Sequence, residues 1–455
     1  CCRLSMRIRE KEIQRLKSVN SLVKANFSAF GVNKKQEITR LLYEISKREN
    51  IAPAAIIKEK FPKDYSIIKN DLLERRYPYA FSSAKIVRPY LPKIELKLSE
   101  QFNIEKSGFY PENIFVEKKP SGELLAARFK VSFPKARFYE IESLKDYFCE
   151  HRGFQIKDYN NRRDTVFIVK QKYDFFKSCP CTKGALGCGY HILNLGFGCI
   201  FDCNYCFLQG YVNSPGIILP ANIDSFFEKL GGYKKAGMRI GTGEFSDSLA
   251  LDEITQYSIP IVEFFRKQEN VTFEFKTKSV NIKNILEARH AGNIVISWSL
   301  NPQSVIDENE FLTPSLKQRL TAALRCVETG YRVGFHFDPV IYFDGWEKEY
   351  ALLIDNLFTK INPKHIAWIS IGTFRFSPGL KQVIEKRFPE NSILNEELLP
   401  GFDNKLRYPY QLRRGIYQKM VEMLSKHSSK LNLYLCMEDI SMWNDIKLTM
   451  PKFTA

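Results

Sequence analysis

The sequence has no run approaching the ~18 uninterrupted apolar residues that a membrane-spanning helix needs, and its opening segment, CCRLSMRIREKEIQR, holds no apolar stretch of the secretory kind. Together these absences predict a cytoplasmic protein without membrane attachment. Internal repeats and low-complexity tracts are missing too, which argues against a solenoid or a linker-rich chain. A starting methionine is also lacking: Met6 is the expected natural start, and Cys1 and Cys2 are expected to have no role. Acidic residues are in short supply, with 51 Asp plus Glu against 68 Lys plus Arg. The deficit is local. Residues 1–108 carry a net charge of +11, whereas the remaining three-quarters of the chain carries only +6. A basic segment of this kind suits a polyanion such as DNA or RNA; the alternative is a solvated helical surface kept soluble by self-repulsion.

What is present is ordinary globular material. Hydrophobic residues at 44% and charged residues at 26% supply enough apolar surface for a sizeable core. The 455 residues correspond to roughly three domains, or fewer if one is a long barrel. Residues 7–75 have helical apolar spacing, and proline-bearing stretches follow, which predicts a mainly helical N-terminal extension over 1–108. Strand-like runs at NIFVE, ARFKVSF and TVFIVKQKYDFF predict a small α+β subdomain over 109–188. From 189 to 445, the runs HILNLGFG, MRIGTG, VTFEFKT, NIVISWSL, YRVGFHF and HIAWISIGT alternate with amphipathic segments. Alternation of this kind is the signature of a parallel sheet with right-handed crossovers. Six such units are too few for an eight-fold barrel. The expected fold class is therefore α/β, a partial (β/α)6 TIM-like barrel. Cys199, Glu244, Lys278, Ser299 and Asp338 fall at or after the predicted strand C-termini, where chemistry collects in such sheets.

Eleven cysteines without a secretion signal argue against a disulfide framework and for metal or redox chemistry. Cys149 and Cys326 read as small buried hydrophobes. Cys199, Cys203 and Cys206 have the spacing C-x3-C-x2-C on one predicted loop. Three thiolates suit an iron-sulfur cube with one iron left open, whereas a structural zinc closes with four ligands. The alternative is a zinc site completed by His191 or Cys188. Upstream, Cys179, Cys181, Cys188 and His191 match no common metal spacing well. They read either as an auxiliary cluster or zinc site, or as thiols lining a cavity.

With Tyr205 before its last cysteine, the triplet resembles the signature of the radical S-adenosylmethionine (AdoMet) superfamily. The likeness extends over about residues 110–445: CNYCFLQ, SDSLALD, TKSVNIKNILEARHAGN, SWSLNP, DGWEKEY, RFSPGLKQVIEKRFP and KLRYPY follow one another as in the spore photoproduct lyase family. That resemblance implies a 4Fe-4S cluster on Cys199, Cys203 and Cys206, with AdoMet as co-substrate. An electron donor such as flavodoxin or ferredoxin would supply the cluster. The 5′-deoxyadenosyl radical so produced would reverse a thymine dimer lesion in DNA, a reaction that requires the damaged step to leave the base stack.

Position by position, the resemblance implies that Ser246 and Asp247 hold the amino acid end of AdoMet, that Lys278 pairs with its carboxylate and that Ser299 bonds the ribose. Tyr205 and Asp338 join this cofactor set. Arg407 and Tyr408 would approach the lesion, Tyr408 with a catalytic part. The pattern breaks where the family carries a hydrogen-donating cysteine: this chain has Glu244, whose GTGE setting resembles segments that bind the cofactor's amine. It also has Phe207 where the family has a second tyrosine. Cys436, at the end of the apolar run in KLNLYLCMED, is the expected substitute hydrogen donor, with Cys188 behind it. Two rivals remain: the same radical chemistry on RNA, a peptide or another substrate, and a nucleic-acid-binding iron-sulfur protein without lyase activity.

Overall fold

The computed structural model describes residues 2–57, 64–83, 87–103, 108–118, 122–151, 153–171, 176–230 and 237–450, with side chains from residue 10. The chain divides into two compact units. Parts of the expected helical run before 75 and of TVFIVKQKYDFF lie outside the described residues.

The larger unit comprises Ile104–Val340, Asp344–Gly372 and Tyr417–Ala455. Its first strands are β1 (Asn113–Glu117), β2 (Arg137–Ile141) and β3 (Thr165–Val169), followed by β4 (Phe176–Ser178), β5 (Tyr190–Leu193) and β6 (Asp202–Cys203). Then come β7 (Ile217–Pro220), β8 (Met238–Thr242), β9 (Val271–Thr277), β10 (Ile294–Ser299), β11 (Glu310–Phe311), β12 (Arg332–Val340) and β13 (Ile366–Thr373). The short strands β14 (Arg375–Phe376), β15 (Leu399–Pro400) and β16 (Leu406–Arg407) belong to the other unit, and β17 (Leu433–Leu435) returns to this one.

An eight-stranded sheet in the order β17-β13-β12-β10-β9-β8-β5-β4 forms the partial barrel. Pairing is parallel from β5 through β8, β9 and β10 to β12 and again between β13 and β17, while β4 runs antiparallel on the outer edge of β5. All six expected strand runs appear here as β5, β8, β9, β10, β12 and β13. Their near-continuous apolar character follows from burial on both faces: every residue of β10 and β13 is buried. Helix Leu316–Glu328 between β11 and β12 begins at a capping box formed by Ser315 and Gln318, and it buries Leu320, Ala323 and Cys326.

The polar side chains inside the barrel form one network. Arg239 on β8 pairs with Glu274 on β9 at 2.8 Å and donates to the Tyr434 hydroxyl on β17 at 3.0 Å. The other Glu274 oxygen meets His336 Nε2 at 2.7 Å and accepts from Trp368 Nε1 at 3.1 Å. Ser370 closes the chain at 2.6 Å from His336 Nδ1. Linked in this way, these buried groups tie five strands together rather than simply costing desolvation.

A second, four-stranded parallel sheet has the order β2-β1-β3-β7. The ARFKVSF run corrects the strand expectation: it lies in helix Glu123–Ser132, where Leu125, Ala126 and Phe129 share the buried face. Its local alternation is real, but the run continues a helical pattern begun upstream in GELLAA. Cys149 is likewise exposed, not buried. The short helix Leu144–Glu150 turns Tyr147 and Phe148 toward the sheet's apolar cluster, so the next residue faces out.

The smaller unit comprises Cys1–Asn103, Ile341–Phe343 and Thr373–Ile416. Its helices α1 (Cys2–Asn26), α2 (Val32–Glu49) and α3 (Tyr65–Arg76) share a core that includes Val19, Ile38, Leu41, Leu42, Ile68 and Leu72. Buried charge joins these helices to the late segment. Arg40 pairs with Glu385 at 2.8 Å, Glu44 accepts from Arg76 at 2.8 Å and from Lys381 at 2.7 Å, and Glu397 receives the backbone N–H groups of Tyr79 and Ala80. The N-terminal helices are therefore integrated with residues 373–416. Among the described residues, no helix is long and apolar enough to cross a membrane.

Candidate active site

The loop that follows β5 needs glycine to leave the sheet. Gly196 has φ +132°, and a Cβ there would lie 2.4 Å from the Ile218 carbonyl oxygen. Phe197 then bridges Ile218, and Gly198 N–H donates to the Phe245 carbonyl at 2.9 Å, tying the loop to the chain just past β8. Cys199, Cys203 and Cys206 follow, with Cys203 paired opposite Glu310 on β11. A small pocket beside Cys199 is lined by Gly198, Ser246, Asp247, Leu251 and Tyr257.

One side chain organises this loop. Arg162, fully buried, donates to the carbonyls of Cys199 at 3.1 Å, Phe201 at 2.7 Å and Tyr159 at 2.9 Å, and pairs with Asp202 at 2.8 Å. Sequence reasoning missed it because it lies far upstream and outside any motif. Burial pushes the Cys199 thiol up to about 12, with Asp247 adding to the effect. Burial also raises Cys203, against the pull of Lys278.

Beside the triplet sits a second buried group. Glu310 accepts from Tyr205 Oη, from Asn301 Nδ2 at 2.9 Å and from Arg319 at 2.6 Å. Arg319 also donates to the Ser299 carbonyl at 3.0 Å, which fixes the end of β10. Burial opposes charge on Glu310, but Arg319 and Lys278 outweigh it and hold the carboxyl down to about 2. Lys278 Nζ lies 5.7 Å from the centre of the Tyr205 ring. Burial opposes its charge as well, yet Glu310 and Cys203 leave its pKa above the ordinary lysine value. Tyr205, Lys278 and Ser299 thus converge near the loop, and Glu310 and Arg319 are further members that no local pattern revealed.

Asp247 is a turn organiser. Its carboxylate accepts from the Thr277 hydroxyl at 2.6 Å and from the backbone N–H groups of Lys278 at 2.7 Å, Leu249 at 3.0 Å and Ala250 at 2.9 Å. These bonds hold the ends of β8 and β9 together, with Ser246 next to them on the pocket wall. Glu244 faces Lys177 on β4, with an oxygen 3.1 Å from Nζ. Burial raises its pKa, and Lys177 works against that rise. Asp338 lies within β12, two residues before the strand ends.

Arg407 and Tyr408 belong to the smaller unit, and neither projects into solvent. Arg407 is fully buried, with Nε 2.9 Å from Asp403 and its guanidinium over the Phe402 ring at 4.7 Å. The Tyr408 hydroxyl accepts from Tyr342 N–H at 3.1 Å. Cys436 follows β17, and its N–H donates to the Ile371 carbonyl at 2.8 Å. Among the described residues, no three His, Cys, Asp or Glu side chains are already arranged to grip a metal ion.

The model of the spore photoproduct lyase family matches residues 151–427 of this chain. The chain belongs to the spore photoproduct lyase family. Relatives in that family include the spore photoproduct lyase of Bacillus subtilis, 28% identical over 276 residues, which are 58% of this chain and 77% of the relative. That of Clostridium acetobutylicum is 29% identical over 286 residues, 61% of this chain and 81% of the relative. A solved spore photoproduct lyase complexed with dinucleoside spore photoproduct superposes with a TM-score of 0.62 at 23% identity, covering 72% of this chain and 99% of that one. A variant of the lyase with bound AdoMet and dinucleoside spore photoproduct gives the same score and identity, covering 73% of this chain and 99% of that one. At that identity the likeness is one of fold: the spore photoproduct lyase barrel recurs here, preceded by N-terminal helices.

Proposed function

We propose that this chain is a radical AdoMet enzyme that reverses a thymine dimer lesion in DNA. The observation that carries the reading is the cysteine triplet on the loop after β5, held by Arg162 and flanked by the half-buried cation Lys278. The donor set fits a 4Fe-4S cluster: three soft thiols at C-x3-C-x2-C, with three bonds from Arg162, two to carbonyls and one to Asp202, restraining the loop. With AdoMet bound, such a cluster supplies a carbon-centred radical able to remove hydrogen from an unactivated carbon.

The chain's own residues divide the remaining work. Cys199, Cys203 and Cys206 hold the cluster. Lys278 meets the AdoMet carboxylate, and Ser246, Ser299, Tyr205 and Asp338 complete the cofactor seat. Asp247 keeps the ends of β8 and β9 in place through its four accepted bonds. Glu244 meets the cofactor's amine. Arg407 and Tyr408, both buried, shape the KLRYPY segment that would meet the lesion, Arg407 through its pair with Asp403, and exposed lysines of the N-terminal helices follow the phosphates. An external reductant such as flavodoxin or ferredoxin provides the electron. Fold alone does not fix a substrate; the family match and the KLRYPY segment favour a DNA lesion over RNA or a peptide.

Anaerobic reconstitution tests the first half of this reading. With dithionite and AdoMet, the protein is expected to release 5′-deoxyadenosine, and Cys203→Ala is expected to bind no cluster and release none. A Cys203→Ala protein that retains its full iron and sulfide would refute the assignment.

A further inference from the structure

The two edge strands of the open barrel, β4 and β17, each end in a cysteine: Cys179 directly follows β4, and Cys436 directly follows β17. The loop after β4 also carries Cys181 and Cys188. The Cys179 and Cys181 sulfurs are 3.8 Å apart, and the Cys181 N–H donates to the Cys179 carbonyl at 2.7 Å. That spacing is the contact distance of two thiols, and it is also the edge length of a tetrathiolate zinc site. Two thiolates, each ~2.3 Å from one tetrahedral zinc ion, lie about 3.8 Å apart, whereas the thiolates of an iron-sulfur cube sit on separate irons and are spread wider.

The same loop is fastened to the chain beyond Cys436. Leu186 N–H donates to the Glu438 carbonyl at 2.9 Å, and Ala185 forms an antiparallel bridge with Asp439. Cys188 lies two residues beyond Leu186 and Cys436 two residues before Glu438, so this fastening brings both to one junction, and Cys181, Cys436 and Cys188 all act electrostatically on the Cys179 thiol. His191 takes no part: its ring stacks on Phe176, and Nδ1 lies 3.0 Å from the Gly189 carbonyl oxygen.

We propose that Cys179, Cys181, Cys188 and Cys436 bind a single structural zinc ion that staples the β4 edge of the barrel to the β17 edge. The Cys179 and Cys181 sulfurs already have the separation of two ligands on one ion, and Cys188 and Cys436 complete the shell by side-chain rotation. Each thiol releases its proton to solvent as the metal binds. Four thiolates leave no open coordination position, so the site is structural. It also has a consequence for catalysis: a ligated Cys436 has no S–H bond to give, so the hydrogen that the family draws from the position of Glu244 comes from another source.

The test uses the full chain, purified anaerobically from zinc-supplemented medium. One zinc per chain is expected in addition to cluster iron, with Cys179→Ser and Cys436→Ser each losing it and Cys149→Ser, at an exposed position, keeping it. Because a ligand variant can fail to fold, the unsubstituted chain is also exchanged with Co2+, where the intense charge-transfer absorption of a tetrathiolate site is expected. Zinc-free folded protein in which iodoacetamide alkylates both Cys179 and Cys436 would overturn the proposal. Iron and sulfide bound by these four residues in place of zinc would overturn it too.

Discussion

Arg162 and Asp202 form an ion pair at 2.8 Å with both side chains almost completely excluded from solvent. Asp202 belongs to the segment that carries the cysteine triplet, and the same guanidinium caps the carbonyls of Cys199 and Phe201. Removing one partner of a buried pair strands the other. Arg162→Ala is therefore expected to cost about 3–5 kcal/mol of stability and to lower cluster occupancy, although no cysteine is touched. Denaturant midpoints and iron content check both effects. A variant with unchanged stability and full iron would show that the loop holds itself.

The charge of the N-terminal helices now needs a finer test than deletion. Truncating residues 1–103 would strip Glu385, Lys381 and Glu397 of their partners and remove most of the core of the smaller unit, so any loss of DNA binding would report on folding. Lys17 and Lys24 are exposed on α1. If they contact phosphates, Lys17→Glu with Lys24→Glu lowers the slope of log affinity against log salt by about 2, at most modestly affecting the melting temperature. Fluorescence anisotropy at several salt concentrations reads the slope. An unchanged slope assigns these lysines to solvation alone.

His336 makes the barrel interior sensitive to acid. Burial and Lys276 push its pKa from 6.5 down to about 4, overriding the attraction of Glu274. Between those values the unfolded chain holds a proton that the folded chain does not. Its contribution is therefore complete above pH 6.5 and is lost as pH falls toward about 4. The loss at pH 5 relative to pH 7 is expected to be about 2 kcal/mol. Glu274 and Glu310, both held below the ordinary carboxylate value, add their losses only at lower pH. Glu244, whose pKa is raised, acts in the opposite sense. In His336→Gln the dependence between pH 7 and 5 should flatten, as measured by urea unfolding at each pH. A full slope in that variant would place the proton uptake elsewhere.

Much of the barrel was legible in the sequence because strands buried on both faces leave uninterrupted apolar runs, as in NIVISWSL and HIAWISIGT. Strand β2 was missed because only Phe138 and Ile141 are even half-buried, so its alternation carries little hydrophobic contrast. Helix Glu123–Ser132 was misread because its last six residues, with Phe133 after them, happen to alternate. The cysteine triplet and Lys278 could be found from local motifs. Arg162, Glu310 and Arg319 could not, since each draws its role from partners brought together only by folding. The same holds for Cys436: the apolar run placed it at a strand end, but its neighbourhood with Cys179 arises from the opposite edge of the sheet. The basic N-terminal region read as an appendage because the acidic partners of Arg40 and Lys381 are dispersed between the two ends of the sequence.

The most direct test of the account is conversion of a synthetic dinucleoside spore photoproduct to two thymines by the reconstituted, dithionite-reduced chain with AdoMet, followed by chromatography of both nucleoside products and 5′-deoxyadenosine. The account predicts repaired thymine that accumulates with enzyme and is abolished in Cys203→Ala. Steady release of 5′-deoxyadenosine with the lesion left intact would contradict it and move the same radical chemistry to another substrate.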